Sequence, residues 1–248
     1  SAKVFLWPVE FTLRGYKMVV EHEMLPTGFG NTILYTSVGT CINLAMTILA
    51  AYPLSRKDLK IRHAVIFLFA FTMLFNGGMI PTYLLVRDLG MIDTLWAMVI
   101  PNAMAIWNVI VTRTYFQSTI PDDMLESANI DGCDDIRFLL KMVLPLSVPI
   151  IAVNVLLYAV GHWNSYFNAM LYLNDTKHYP LQLVLRDILI QDDTAGVSMD
   201  VTKQLERQKT RYLLQYSTIV VGTVPVMLLY PLIQRYFVSG IMVGAIKG

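Results

Sequence analysis

The stretch MVLPLSVPIIAVNVLLYAVGHWNSYFNAMLYLN, residues 142–174, contains no Asp, Glu, Lys or Arg. A helix of ~20 apolar residues crosses the ~30 Å apolar core of a bilayer, and this stretch is long enough to hold one. A membrane β-barrel would instead need strands of ~10 residues with alternating polarity. Segments such as Leu156–Val160 are apolar on every side. They favour a helix, which satisfies its own backbone groups in lipid.

Charge-free runs of similar character occur on both sides of this stretch, at 26–55, 63–86, 94–112 and 212–234. Only 15% of the 248 residues are charged and 55% are hydrophobic, whereas a soluble domain carries about 25% charged residues. Gly and Pro within the runs predict kinks that packing tolerates, in preference to a broken-helix ion site. The sequence therefore predicts an all-α, polytopic membrane helical bundle with five spans, at Asn31–Pro53, Ala64–Tyr83, Leu95–Tyr115, Leu144–Val160 and Gln215–Ile233.

The distribution of Lys and Arg predicts how the bundle is oriented. Four of the eight residues in Ser55–Arg62 are Lys or Arg, whereas Val86–Thr94 contains only Arg87. Since short cytoplasmic loops are enriched in these residues, Ser55–Arg62 is predicted to be cytoplasmic. The basic residues between Lys203 and Arg211 would then be external, which weakens the prediction. Counting spans gives an external N-terminal segment, 1–30, and a transmembrane domain, 31–248, with a cytoplasmic loop, 117–143, and an external loop, 161–212.

The cytoplasmic loop has the signals of two short helices joined by a tight turn. Pro121 suits the start of a helix, and Asp122 and Asp123 suit the positive end of its dipole. Gly132 can adopt the left-handed conformation that ends a helix, and Asp134 can cap a second one. The sequence thus predicts a rigid helical projection on the cytoplasmic side, suited to fit into a partner's cleft.

The same loop resembles the signature of permease subunits of binding-protein-dependent ABC importers. That signature reads Glu-Ala-Ala, three residues, Gly, nine residues, Ile, one residue, Leu-Pro. The sequence has Glu126-Ser127-Ala128, Gly132 and Met142-Val143-Leu144-Pro145 at the same spacing, with Ser127 and Met142 as the departures. The order of spans is similar to type I importer permeases, which usually have six. An external N-terminal segment without a preceding span then indicates one more N-terminal helix in the intact protein.

Three further segments are similar to the carbohydrate branch of that family, the maltose-type permeases. They are Ala51–Arg56, Trp163–Asn168 and the tail Arg235–Gly248. The resemblance implies a subunit that moves a carbohydrate, an oligosaccharide or a larger saccharide, across the bacterial cytoplasmic (inner) membrane. The same fold importing a non-sugar solute remains the alternative. A secondary transporter is disfavoured because it needs intramembrane carboxylates, which the predicted spans lack.

The resemblance also implies a division of labour among partners. A second homologous permease would enclose the pathway in the lipid bilayer, two ATPase subunits would bind ATP and Mg²⁺, and an extracytoplasmic solute-binding protein would deliver the saccharide. The sequence has no G-x-x-x-x-G-K-[ST] loop, so no cofactor is expected in this chain. The residues implied in coupling to the ATPases are Glu126, Ser127, Ala128, Asp131, Gly132, Leu144 and Pro145.

Polar and aromatic residues near the fourth span are candidates for the substrate pathway. Asn154, Tyr158 and His162 are four residues apart and share one face of the predicted helix, followed by Trp163 and Asn164. Their amide, hydroxyl and aromatic groups suit saccharides. The alternative is interhelical hydrogen bonding, worth ~0.6 kcal/mol each, and an interfacial aromatic belt.

Several other classes of function are excluded. The net charge of +1 gives no basis for a nucleic-acid partner. Cys41 and Cys133 have neither metal-ligand spacing nor a disulfide framework. The four histidines form no catalytic or metal-binding pattern with nearby Ser, Cys or Asp, so the sequence predicts a non-catalytic protein.

Overall fold

The structure, a computed structural model, describes residues 13–194, 209–228 and 231, and every regular element among them is helical. In chain order the helices are α1 (Arg14–Val20), α2 (Leu25–Ser55), α3 (Arg62–Leu74), α4 (Met79–Asp88), α5 (Leu95–Val99), α6 (Ile106–Thr119), α7 (Asp122–Ile130), α8 (Asp135–Phe138), α9 (Leu144–Leu146), α10 (Val148–Trp163), α11 (Tyr166–Tyr172), α12 (Leu181–Thr194) and α13 (209–228). A π-helical turn, Leu139–Val143, joins α8 to α9, and a 3₁₀ turn, Thr176–His178, precedes α12. The all-α bundle predicted from the sequence is confirmed.

Helix α2 is the central element of the bundle, in contact with α1, α3, α5, α6, α10 and α12. Its 31 residues extend ~46 Å at 1.5 Å per residue. Its buried positions recur every three or four residues, and most are small or polar: Leu25, Gly28, Thr32, Tyr35, Gly39, Thr40, Asn43, Thr47, Ala51 and Leu54. Small residues let neighbouring membrane helices approach closely. The sequence of α2 thus specifies one face for packing and leaves the rest apolar.

The structure corrects the number of continuous spans. Among the described residues, α2 is the one helix long and apolar enough to cross a membrane unbroken. The count rises to three if two bent pairs are each taken as one span: α3 with α4, bent by 108°, and residues 135–146 with α10, bent by 83°. The predicted span Asn31–Pro53 lies within α2. The predicted span Gln215–Ile233 coincides with α13 to residue 228, and most of its remainder lies outside the described residues.

Three of the predicted spans are each divided between two helices in the structure. Between α3 and α4, Gly78 has φ +87°, a conformation that no helix contains. Between α5 and α6 stands Pro101, which has no N–H and whose ring would clash with a helical carbonyl. In the first turn of α10, Pro149 cannot donate the hydrogen bond that would continue α9 into α10. These breaks exceed the packed kinks that the sequence predicted.

The two ends of α2 define two faces of the fold. At its carboxyl end, Gln117 Nε2 donates to the Ser55 carbonyl at 3.1 Å, which joins 55–62 to 117–143; we call this the coupling face. At its amino end, Asn31 Nδ2 donates to the Tyr179 carbonyl at 3.0 Å. Asp93 accepts from the Asn174 backbone N–H, which joins 86–94 to 173–180; this is the opposite face. Loops predicted to share a side of the membrane therefore share a face.

The predicted external loop, 161–212, is largely helical where it is described. Its helix α12 buries Leu181 and Val184 against α2, near Gly28, where an added Cβ would lie 3.0 Å from Val184 Cγ2. The sequence missed this helix because its charged residues end the apolar run. Residues 195–208 lie outside the described part of the chain. Helix α2 begins at Leu25, ahead of the predicted boundary at residue 30.

Candidate functional site: the coupling face and a polar cleft

Helix α7 ends in the glycine turn that the sequence predicts. The Cys133 N–H donates to the Ala128 carbonyl at 2.9 Å, and the Gly132 N–H donates to the Asn129 carbonyl at 3.0 Å. Gly132 has φ +73°. These two bonds form a Schellman motif, in which a left-handed residue, usually glycine, closes the helix. The motif turns the chain sharply and fixes the angle at which the second helix begins.

The second helix, α8, begins at the predicted cap. The Asp134 carboxylate accepts a hydrogen bond from the Ile136 N–H at 3.2 Å. The π-helical turn Leu139–Val143 follows and leads into Leu144 and Pro145. Pro145 has no N–H for the carbonyl four residues earlier, which accounts for the widened turn. The prediction of two short helices joined at Gly132 is confirmed.

The coupling residues divide into an anchored set and an exposed set. Ala128 is 8% exposed and packs with Phe116 and Phe138, so it fixes α7 to the bundle. Leu144 packs at the edge of the same cluster. The Ser127 hydroxyl donates within α7 to the Asp123 carbonyl at 2.8 Å. The exposed residues are Glu126, Ser127, Asp131, Gly132 and Pro145.

Three apolar side chains on the helical projection 121–145 point outward. Ile130 is 87% exposed, Ile136 is 66% exposed and Leu140 is 58% exposed. Apolar groups beside the exposed Glu126 and Asp131 carboxylates make a surface suited to a protein partner. The sequence analysis missed these three residues. The signal was present, because Ile130 and Ile136 stand on either side of the turn 131–135, which carries three Asp residues.

Two ion pairs connect the coupling helices to the loop that follows α2. Lys57 pairs with Asp122 at the start of α7, and Arg56 pairs with Asp135 at the start of α8. Arg56 also donates to both Asp58 carboxylate oxygens, which lowers the pKa of Asp58 from its ordinary value. In the sequence analysis Lys57 served only as evidence of orientation, and Arg56 served also as part of the segment Ala51–Arg56 that is similar to maltose-type permeases. Their partners lie far along the chain, so the pattern could not reveal the pairs.

Two of the predicted pathway residues line a polar cleft of about 240 Å³ beside α2. The Tyr158 hydroxyl lies 2.6 Å from the Thr47 hydroxyl and accepts the Ala105 N–H at 3.3 Å. His162 Nε2 lies 2.7 Å from the Asn43 side-chain oxygen. The other lining residues carry no charge, and some are polar while others are apolar. They are Met98, Asn102, Ala105, Leu157, Gly161, Ser165 and Asn168. Such a surface can donate to and accept from hydroxyl groups.

The other three predicted pathway residues are placed differently. Asn154 is 2% exposed and donates to the Thr112 hydroxyl at 2.7 Å, and it is not among the residues that line the cleft. Trp163 is also buried, with Nε1 donating to the Gly222 carbonyl at 3.0 Å. Both make interhelical hydrogen bonds, which the sequence analysis held as the alternative for Asn154, whereas for Trp163 the alternative was an interfacial aromatic belt. Asn164 is exposed, and its side-chain amide donates to the Val160 carbonyl.

Comparison with known proteins gives one consistent family. Residues 34–243 match the model of the binding-protein-dependent transport system inner membrane component. A polygalacturonan/rhamnogalacturonan transport system permease protein of Bacillus subtilis is 41% identical, over 100% of this chain and 86% of that protein. A trehalose/maltose transport system permease protein of Thermococcus litoralis is 27% identical, over 96% of this chain and 82% of that protein.

A solved structure agrees with these relatives. It is a bacterial ABC transporter involved in the import of the acidic polysaccharide alginate, and the matching chain is 34% identical. The match covers 96% of this chain and 84% of that one, with a TM-score of 0.83. The bends that interrupt the predicted spans therefore belong to a fold with a solved counterpart.

Proposed function

The chain belongs to the family of binding-protein-dependent transport system inner membrane components, and on that premise we propose that it is the permease subunit through which an ABC importer moves an oligosaccharide or a larger saccharide. The observation that carries the proposal is the helical projection 121–145, anchored through Ala128 and turned at Gly132. Such a projection has no use in a transporter without an ATPase partner. The chain itself is a non-catalytic component.

Saccharide as the substrate class is supported by the relatives, whose names refer to polygalacturonan, rhamnogalacturonan, trehalose and maltose. The polar cleft beside α2 supports it independently. Asn102, Ser165 and Asn168 offer uncharged groups that can pair with sugar hydroxyls. A non-sugar solute remains the second candidate, because the coupling projection serves any substrate.

The partners follow from the division of labour in this kind of importer. A second permease would complete the pathway, and an extracytoplasmic solute-binding protein would deliver the saccharide. Two ATPase subunits would bind ATP and Mg²⁺ and would receive the surface formed by Glu126, Asp131, Ile130 and Ile136. The whole assembly would lie in the bacterial inner membrane, with the coupling face in the cytoplasm.

The test is ATP hydrolysis by the assembled transporter in lipid. The chain is co-expressed with its genomic neighbours and reconstituted, and hydrolysis is measured with the binding protein and a panel of saccharides, amino acids and metal chelates. Stimulation by a saccharide is the expected result. Stimulation by a non-sugar solute alone would contradict the substrate class. A chain that associates with no ATPase would contradict the importer itself.

The cleft requires a separate test. Tyr158→Ala removes the hydroxyl that meets Thr47 and opens the cleft wall, so uptake of the saccharide should weaken while the assembly stays intact. Tyr216→Ala is the control, since Tyr216 is exposed and is not among the residues that line the cleft. Unchanged uptake kinetics for Tyr158→Ala would remove Tyr158 from the pathway.

A further inference from the structure

Arg56, which follows the last turn of α2, has a side chain that is only 13% exposed. Its Nε and Nη2 donate to the two Asp58 carboxylate oxygens at 3.0 and 2.7 Å. Its Nη1 donates to the Tyr52 hydroxyl at 3.2 Å and pairs with the Asp135 carboxylate. A planar guanidinium held by three partners has little freedom to turn. Asp135, the first residue of α8, is therefore tied to a fixed point at the end of α2.

The end of α2 is also held by helix α6. Arg113 Nε donates to the Leu54 carbonyl at 2.9 Å, and Gln117 Nε2 donates to the Ser55 carbonyl at 3.1 Å. The last carbonyls of a helix have no partners within it, and a positive group there also complements the helix dipole. These bonds prevent the end of α2 from fraying. A force applied at Arg56 is therefore transmitted to the helix as a whole.

Farther along, α2 forms one wall of the polar cleft. Thr47 meets the Tyr158 hydroxyl, and Asn43 meets His162. Asn43 also donates to the Asn102 carbonyl at 2.5 Å, in the break between α5 and α6. A displacement of α2 along or about its axis would change all three contacts together. One rigid helix thus connects α8 to the side chains that line the cleft.

We propose that the Arg56–Asp135 ion pair is the connection through which movement of the coupling projection reaches α2 and the polar cleft. The proposal rests on the proposed function. It makes Arg56 and Asp135 positioning residues for ATP-driven transport, acting through α2. The Lys57–Asp122 pair is a weaker connection because the Lys57 side chain is 73% exposed, whereas that of Arg56 is 13% exposed, and water screens exposed charges. The two carboxylates are similarly exposed, 50% for Asp122 and 62% for Asp135.

The deciding variant is Asp135→Asn, which keeps the shape of the side chain and removes its charge. Arg56 retains Asp58 and Tyr52 as partners, so the complex should still assemble. Basal ATP hydrolysis should persist, while the stimulation caused by the loaded binding protein should fall about fivefold or more, the usual lower range of coupling between distant sites. Asp135→Glu, which restores the carboxylate, should recover the stimulation.

A double variant separates the pair from independent effects of its members. If Arg56 and Asp135 act through one contact, Arg56→Gln with Asp135→Asn should be no worse than Arg56→Gln alone. The matched control is Asp88→Asn on the opposite face, which breaks an exposed pair of similar length with Arg87 at 2.9 Å. It should leave stimulation unchanged.

Each outcome decides between the two proposals. Wild-type stimulation in Asp135→Asn, or additive losses in the double variant, would overturn the ion-pair proposal and leave the proposed function intact. Loss of assembly in Asp135→Asn would also overturn it, since the pair would then be a scaffold contact. Absence of stimulation in the wild type would overturn the proposed function and this inference with it.

Discussion

Gly39 shows how a single residue determines the geometry of the polar cleft. An added Cβ at this position would lie closer than 3.0 Å to the His162 ring, whose Nε2 meets Asn43. The absence of a side chain lets the imidazole rest against the α2 backbone. Glycine is therefore needed at this position because the ring approaches the backbone closely. Its backbone conformation does not require glycine, since its φ is not positive.

We expect Gly39→Ala to displace the His162 ring and to destabilise the complex by about 1–3 kcal/mol, as overpacking does in close-packed interiors. Gly30→Ala, on the same helix, is the matched control, because an added Cβ there meets nothing within 4 Å. Thermal unfolding of the purified complex in detergent measures both. Equal melting temperatures for the two variants would show that the ring is not held in this contact.

Gly132 is the opposite case, a glycine required by its backbone. An added Cβ would meet nothing within 4 Å, but φ is +73°. Gly132→Val should cost about 1–2 kcal/mol of conformational strain and should uncouple ATP hydrolysis from the loaded binding protein. Gly132→Asn should retain coupling, because Asn tolerates the left-handed region. If the two variants show the same stimulated ATPase activity, the turn is not what orients α8.

Sequence reasoning predicted correctly the local structure at residues whose hydrogen bonds join groups close together in the chain. Gly132 and Asp134 act on backbone groups within five residues, and the spacing of turn and cap signals is enough to predict them. Asn154 and Arg56 could not be assigned in this way. Their environments are made by Thr112 and by Asp135, which are distant in the chain and are brought close only by packing.

At the scale of elements, hydropathy predicted where apolar segments lie but not where their axes turn. The segment 64–83 is apolar throughout, yet α3 and α4 meet at 108°. Average hydropathy is insensitive to a residue such as Gly78, whose positive φ redirects the chain. The amphipathic helix α12 was missed for the converse reason, because its charged face lowers the average while Leu181 and Val184 remain buried.

Asp93 joins two loops of the opposite face. Its carboxylate accepts the Asp175 and Asn174 N–H groups at 2.9 and 2.5 Å, and these bonds lower the pKa of Asp93 from its ordinary value. Since the pKa is lower in the folded chain, the stabilisation is present above the unfolded value, about 4. It is lost as the pH falls through the folded value.

We therefore expect Asp93→Asn to lower the melting temperature at neutral pH and to flatten its fall on acidification below about pH 5. Asp88→Asn, which removes a nearby exposed carboxylate paired with Arg87, is the control and should keep the wild-type pH profile. Melting temperatures from pH 7 to pH 3 provide the measurement. A wild-type profile for Asp93→Asn would show that the joint between the two loops does not stabilise the fold.

At the scale of the whole molecule, the coupling face and the opposite face are separated by the length of α2, ~46 Å, which exceeds the ~30 Å apolar core of a bilayer. The density of Lys and Arg in Ser55–Arg62 predicts that the coupling face is cytoplasmic.

In a background without Cys41 and Cys133, Lys177→Cys should react with an impermeant maleimide in right-side-out vesicles. Lys60→Cys should react only in inverted ones, and the reverse pattern would invert the topology.

The buried stripe of α2 has a consequence for how the chain tolerates change over generations. The buried positions of α2 form one stripe of mostly small and polar residues, whereas Ile33, Leu34, Met46 and Leu49 of the same helix are exposed. A saturation map of viable substitutions along α2 would therefore rise and fall with a period of three to four residues. During evolution, residues on the exposed side of α2 can therefore change one at a time. A residue on the buried side can change only if the residues packed against it change as well.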